Sequence, residues 1–293
     1  RSGGEDVWPK PVRTENTLKF RDLREFLDFL DEKGELRRIR VPVRTNLEIA
    51  EIADRAVKSG GPALLFENVI THNQESKNMP LAINLFGTHQ RMAWALGVDD
   101  VSQVTKRVRG LLKMIQGPPS GLRNKIRSLG QIAEFAKTQP KEVRRAPCQD
   151  VVITGDDVDL DVLPTLKCWP LDAGTFITLP LVITRDPTTG TRNVGTYRMQ
   201  VYDRQTTGMH WQTHKVGAHH YRESKENQHP KMDVAVALGA DPTTIWAGSL
   251  PLPPSMDEIA VSGLVQEQAV EMVKCKTVDL EVPAHSEIVL EGY

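Results

Sequence analysis

Arg192-Asn193-Val194-Gly195-Thr196-Tyr197-Arg198, followed after a short turn by Gly208-Met209-His210-Trp211-Gln212-Thr213-His214-Lys215, is the stretch that decides the fold. Both pieces read as extended. Asn193 to Tyr202 and Thr207 to His214 have strand-like composition, and Asp203 to Gly208 supplies the turn between them. Ile177 to Thr184 and Asp233 to Leu238 read the same way, with Asp186-Pro187-Thr188-Thr189-Gly190 as a further turn. Consecutive strands joined by short turns predict an antiparallel sheet or barrel from Val151 onward. Asp257 to Val270 reads as a helix, and strands are expected at Glu271 to Cys275 and Ser286 to Glu291. On an unbroken strand, alternation places His210, Gln212 and His214 on one face and Met209, Trp211 and Thr213 on the other.

The pattern changes toward the N-terminus. Leu23, Phe26, Leu27 and Leu30 follow helical spacing, and Gly34 is a plausible stop. Leu36 to Val43 alternates as a half-buried strand does. Ile49, Ile52, Ala53 and Ala56 repeat the helical period, and Ala63 to Phe66 and Leu81 to Phe86 read as buried strands. Asp99 and Asp100 are candidate caps for a helix carrying Val101, Val104, Val108, Leu111 and Ile115. The expected organisation is a flexible lead-in over 1–16, an α/β unit over 17–115, a basic helical connector over 116–147 and a strand-rich domain over 148–293.

The chain has 293 residues, 39% hydrophobic and 26% charged, enough for a buried core. Lys and Arg number 37 against 38 Asp and Glu, so whole-chain charge gives no argument for nucleic acid. Eleven Lys/Arg face two acids between Lys106 and Arg145; a solvated connector explains them better than an anionic partner, because a single aromatic residue, Phe135, interleaves and apolar helix positions dilute the charges. No apolar run is long enough to span a membrane, and the three cysteines, Cys148, Cys168 and Cys275, form neither a disulfide framework nor a thiolate zinc site. The expectation is a cytoplasmic enzyme, with peripheral membrane contact as the alternative.

Five of eight histidines (His210, His214, His219, His220, His229) fall within twenty residues. Together with Asn193 and Arg198 they suggest a pocket. The same polar residues also fit the solvent face of an ordinary sheet, and spacing alone favours that plainer reading. No Gly-x-Ser-x-Gly, Walker loop, dinucleotide fingerprint or His-Glu-x-x-His is present. The Asp156, Asp157, Asp159, Asp161 cluster lacks calcium-loop spacing.

The two opening stretches closely resemble the UbiD family of decarboxylases. Gly61-Pro62-Ala63-Leu64-Leu65-Phe66-Glu67-Asn68, Asn84-Leu85-Phe86-Gly87-Thr88, Gly155-Asp156-Asp157-Val158-Asp159-Leu160, Cys168-Trp169-Pro170, Ala237-Leu238-Gly239-Ala240-Asp241-Pro242, Val282-Pro283-Ala284 and Glu287-Ile288-Val289-Leu290-Glu291-Gly292-Tyr293 extend the match in family order. The resemblance implies an α+β fold: an N-terminal α/β unit followed by a split β-barrel flavin-binding domain. It also implies reversible, non-oxidative decarboxylation of an aromatic or other unsaturated acid, 4-hydroxy-3-polyprenylbenzoate in the best-known branch, which serves ubiquinone biosynthesis. The implied cofactor is prenylated FMN, made by a separate flavin prenyltransferase, with Mn²⁺ or Mg²⁺ and with K⁺ as a further cation. Homo-oligomers are expected. The chemistry has an independent rationale: losing CO2 from an sp2 carbon leaves a carbanion that no side chain can delocalise, so a cofactor must act as electron sink.

By resemblance, Asn193, His214 and Glu258 bind the metal, a donor set suited to Mn²⁺ or Mg²⁺. Arg198 matches the catalytic arginine that meets the substrate carboxylate and pairs with an acid. Thr196, Tyr197, Arg198, His210, Trp211, Gln212, Lys215 and Val216 match cofactor-contacting positions. Related sequences often carry Arg and Gly at His210 and Val216, and a packing role suits Trp211 as well as flavin contact does. Alternation sets Asn193 and Arg198 on opposite strand faces, so a strand end or bulge must intervene if both serve one site.

The family's essential acids lie in a Glu-Gly-Pro motif shortly after the strand that ends at Tyr293, and its C-terminal domain is likewise not represented. The expectation is a fragment of a decarboxylase. A non-catalytic flavin- or metal-binding scaffold or assembly subunit is the alternative, and an ordinary flavin oxidoreductase a weaker third.

Overall fold

Leu23–Glu32 (α1) buries Phe26, Phe29 and Leu30, as its spacing requires. Asp22 caps it by accepting from the Glu25 N–H at 2.9 Å, and Gly34, at φ 71°, lets the chain leave it. Leu36–Ile39 (β1) and Val43–Arg44 (β2) precede the helix Glu48–Lys58 (α2), then come Ala63–Phe66 (β3), Val69–Ile70 (β4), Ser76–Lys77 (β5), Leu81–Ile83 (β6) and the helix His89–Ala95 (α3). β1 runs parallel to β3, which pairs antiparallel with β6; β2, β4 and β5 form a second small sheet. The N-terminal unit is therefore α/β, as its alternating pattern implies. The computed structural model describes residues 18–71, 73, 76–77, 79–105, 136–227, 231–253 and 256–293. The lead-in and most of the basic connector lie outside the described residues, as do Val108, Leu111 and Ile115. Asp100 does cap the turn at Ser102, accepting from its N–H at 2.7 Å.

The Gly61-Pro62 and Asn84 to Thr88 motifs meet around one buried cation. Arg91 on α3 is fully buried, donating to Glu35 at 2.7 Å and to the Gly61 carbonyl at 3.0 Å. Asn84, at φ 62°, donates to the Pro62 carbonyl at 2.9 Å. Replacing Arg91 by Met should lower stability by about 3 kcal/mol, because the Gly61 carbonyl and the Glu35 carboxylate lose a charged donor. Glu35→Gln should also destabilise, by about 1–3 kcal/mol, because the fully buried Arg91 guanidinium keeps an acceptor there but loses its counter-charge. Urea unfolding midpoints check both, and equal midpoints for Arg91→Met and wild type would contradict the assignment.

The second unit starts with Lys141–Val143 (β7), followed by three 3-10 turns and the strands Thr175–Ile177 (β8), Leu181–Arg185 (β9), Arg192–Thr196 (β10), Met199–Val201 (β11) and Thr207–Met209 (β12). After these come the helix Val216–Glu226 (α4), Val234–Leu238 (β13), the helices Pro242–Ala247 (α5) and Glu258–Gln266 (α6), and the strands Glu271–Lys274 (β14), Glu281–Pro283 (β15) and Ile288–Gly292 (β16). The sheets run β10-β9-β13-β16, β12-β11-β8 and β15-β14-β7. The fold is α+β, and among the described residues its strand-rich half is split between separate sheets with no closed barrel. The largest core packs Leu181, Ile183, Val194, Ala235, Ala237, Ile259, Met272 and Val282, with Leu23 and Phe86 of the N-terminal unit against it. Arg24 clamps α1 to this unit through a two-pronged pair with Glu287, both contacts 2.9 Å. Among the described residues no helix is long and apolar enough to cross a membrane.

Four strands expected from the sequence are interrupted: Leu36 to Val43 divides into β1 and β2, which belong to different sheets, and three more break in the second unit. Ile177 to Thr184 breaks before β9 at Pro180, which has no N–H to give a ladder. Asn193 to Tyr202 divides at Tyr197-Arg198 into β10 and β11, which belong to different sheets. Thr207 to His214 keeps strand structure only to Met209; β12 has three residues of β11 to pair with, and the chain then turns, Lys215 N–H to Gln212 carbonyl at 3.0 Å, into α4. The expected single polar face of His210, Gln212 and His214 is therefore not formed.

Candidate active site

The break at Tyr197-Arg198 is the centre of the site. It resolves the parity conflict between Asn193 and Arg198, since Asn193 lies on β10 while Arg198 lies in the corner just before β11, where strand alternation no longer applies. Gly195 makes the corner possible: a Cβ there would sit 2.5 Å from Cζ of Tyr197. The buried Tyr197 ring meets Trp211 edge-on at 6.2 Å. Trp211 in turn lies on Gly217 in the first turn of α4, where a Cβ would come within 2.8 Å of its Nε1. The two glycines thus let one aromatic pair tie the β10–β11 corner to the start of α4. His220 pins the same helix to β9, its Nδ1 2.9 Å from Thr184 Oγ1; burial pushes its pKa down, favouring the neutral ring.

On the β10 side, Asn193 and Glu258 are brought together. Both are buried, and Glu258 Oε2 accepts the N–H of Val194, the residue next to Asn193, at 2.9 Å. Glu258 opens α6, whose cap Asp257 accepts from the Ile259 N–H at 2.9 Å. Asp257 is also gripped by Arg192 of β10, with Nη2 to Oδ2 at 2.5 Å. Arg192 shares Glu281 with Arg185, at 3.3 and 2.8 Å. This chain of charges fixes the start of α6 against β10. Burial raises Glu258 from its ordinary 4.5 to about 7, outweighing the N–H bond from Val194. A carboxyl so placed would give up its proton readily to a cation.

On the β11 side, Arg198 is held from two directions. Its Cζ stands 3.9 Å from the centre of the Phe176 ring, and Nη2 donates to Asp172 Oδ1 at 3.2 Å. The side chain remains a third exposed, so part of its donor fork is open. His210 reaches the corner through its backbone, donating to the Arg198 carbonyl at 3.0 Å.

Of the residues singled out by sequence, Asn193, Thr196, Tyr197, Trp211 and Glu258 are buried or half-buried around this corner. His210, Gln212, His214 and Lys215 are exposed on the turn leading into α4, and Val216 is its first, half-buried residue. No side chain caps α4, leaving its first N–H groups and Lys215 available to an anion. Three side-chain atoms of the set are buried without a hydrogen-bond partner: Asn193 Nδ2, Thr196 Oγ1 and Trp211 Nε1. Among the described residues no three His, Cys, Asp or Glu side chains cluster at metal-binding range.

Sequence reasoning missed Asp172, the Arg192–Asp257–Glu281 chain and the helix α4. Asp257, as a helix cap beside Glu258, left a readable signal; the pairings to Asp172 and Glu281 are long-range and left none.

The chain is similar to two family models: the 3-octaprenyl-4-hydroxybenzoate carboxy-lyase Rift-related domain over residues 141–293, and the corresponding N-terminal domain over residues 27–110. A protein of uncharacterised function from Archaeoglobus fulgidus is 45% identical over 276 residues, 94% of this chain and 55% of that protein. Among solved structures, the UbiD-class enzyme HmfF from Pelotomaculum thermopropionicum, in complex with FMN, superposes with a TM-score of 0.75 at 30% identity, covering 92% of this chain and 54% of that one. An evolved dimeric form of HmfF with prFMN gives a TM-score of 0.77 at 30% identity, covering 93% and 57%. The vanillic acid decarboxylase of Sedimentibacter hydroxybenzoicus in its closed form gives 0.76 at 28% identity, covering 94% and 55%. The chain spans about half the length of these relatives.

Proposed function

The chain belongs to the UbiD family of carboxy-lyases, and on that premise we propose that the intact protein catalyses reversible, non-oxidative decarboxylation of an aromatic acid with prenylated FMN. The substrate class is a 4-hydroxybenzoate-type acid, 4-hydroxy-3-polyprenylbenzoate included. The observation that carries this reading is the set of unpartnered buried atoms on Asn193, Thr196 and Trp211. Leaving such an atom without a partner costs about 1–3 kcal/mol, so each calls for a polar partner, and all three belong to residues that the resemblance assigns to the metal and cofactor.

Prenylated FMN, when bound, would supply the electron sink that loss of CO2 from an sp2 carbon requires. The chain's own residues do the rest. Lys215 and the uncapped start of α4 would take the cofactor phosphate. Asn193, Glu258 and His214 would hold Mn²⁺ or Mg²⁺ beside it, with K⁺ as a further cation. Thr196, Tyr197, Trp211, Gln212, Val216 and the His210 backbone would frame the ring system. The open part of the Arg198 fork would receive the substrate carboxylate and orient it. The proton donor is expected in the part of the relatives' length that this chain does not span. A flavin prenyltransferase would supply the cofactor, and a cytoplasmic homo-oligomer is the expected working form.

The test is isotope exchange. The full-length protein, co-expressed with a flavin prenyltransferase, is incubated with ¹³C-bicarbonate and a panel of hydroxylated benzoic acids. Incorporation of ¹³C into the carboxyl of at least one is expected. Cofactor-loaded protein that exchanges none of them would refute the reading.

A further inference from the structure

Asp172 lies 26 residues before Arg198, in the turn that follows Cys168-Trp169-Pro170. Its side chain is only 10% exposed, and its two oxygens have different employment. Oδ2 accepts from the backbone N–H of Cys168 at 3.2 Å and of Trp169 at 3.1 Å. Oδ1 accepts from Arg198 Nη2 at 3.2 Å. Phe176 lies under the guanidinium. Among the described residues no other ion pair engages Arg198.

We infer that Asp172 is a positioning residue for Arg198: it locks one edge of the guanidinium to a rigid turn so that the remaining donors face the incoming carboxylate. This rests on the reading of Arg198 as the carboxylate-binding group. A free arginine side chain has many rotamers, and each must be frozen when substrate binds. The Phe176 ring fixes the plane of the fork but leaves it free to rotate within that plane. The hydrogen bond to Asp172 removes that rotation. The two backbone N–H groups keep Asp172 itself from following the arginine, so the anchor belongs to the turn and not to the pair.

The test uses the full-length protein with phenylglyoxal, an arginine reagent, and with 4-hydroxybenzoate as the carboxylate probe. Labelling of Arg198 is read by peptide mass mapping, and melting temperature reports folding. In Asp172→Asn the amide oxygen can still accept from Cys168 and Trp169, while its NH2 group meets the guanidinium as a second donor. That variant should melt with wild type yet label Arg198 about fivefold faster, because the Nη2 edge is released. The 4-hydroxybenzoate concentration giving half-protection should rise about tenfold, the scale of one lost charge-assisted hydrogen bond. Asp172→Ala should do the same and also lower the melting temperature, since the turn loses its acceptor. If Asp172→Asn labels or is protected as wild type is, Asp172 serves only the turn and the inference fails. If 4-hydroxybenzoate does not protect Arg198 in the wild type, the reading of Arg198 fails, and the inference with it.

Discussion

Arg198→Lys in the intact protein should abolish turnover, by about a thousandfold or more, with the cofactor still bound. Lysine keeps the charge, so a result of that size would have to come from geometry. The guanidinium is planar and stacks on Phe176 at 3.9 Å while one of its nitrogens donates to Asp172 at 3.2 Å. An ammonium is a point charge with three donors; it cannot hold the ring, the aspartate and a two-pronged carboxylate contact at once. Losing transition-state orientation and a charge-assisted donor together accounts for a loss of this order. Steady-state decarboxylation is the measurement, with the flavin spectrum as control for cofactor retention. Turnover near wild type would remove Arg198 from the chemistry.

Glu258→Ala should strip the metal and weaken retention of the flavin. The carboxyl is buried at the start of α6 and supports β10 through the Val194 N–H. Alanine removes both a ligand and that support, so Glu258→Gln is the companion variant: its amide oxygen can still accept from Val194, but it carries no charge for a cation. Both should bring metal content below a tenth of wild type, about the loss expected when a ligand goes, and only the alanine variant should also unfold early. A normal metal content in Glu258→Gln would defeat the assignment. The same carboxyl has a pH signature. Burial raises it from 4.5 to about 7, so without a cation the folded protein holds a proton there that the unfolded chain releases. Stability of the metal-free protein should therefore fall as pH rises from about 4.5 to 7, by about 3 kcal/mol at most. Bound metal should flatten that slope, and Glu258→Gln should lack it.

The segments legible in the sequence were those with local signals. Helix α1 announced itself through Leu23, Phe26, Leu27 and Leu30, and α6 through the cap at Asp257. Strand content after Val151 was readable from composition, but strand ends were not. Tyr197-Arg198 is extended by propensity and becomes a corner only because Gly195 lets Tyr197 fold against it and the Thr196 N–H is taken by the Gly248 carbonyl at 2.9 Å. Helix α4 was hidden because Lys215 offers no side-chain cap, and the histidines around it suggested a strand face instead. Helix α5 had a readable start in Asp241-Pro242, a capping residue followed by proline at the first helical position. The pairing of Arg198 with Asp172 depends on tertiary packing, so neither periodicity nor spacing could expose it. The resemblance supplied residue roles; the folded chain supplies what holds those residues in place.

The most direct test of the central claim is a visible absorption spectrum, taken with metal analysis, of the full-length protein purified anaerobically after co-expression with a flavin prenyltransferase and Mn²⁺. The expected result is a modified-flavin band together with bound Mn²⁺, with the metal lost and the band weakened in Glu258→Ala. A colourless full-length protein, or a flavin band that persists unchanged in Glu258→Ala, would contradict a cofactor site built on Asn193, His214 and Glu258.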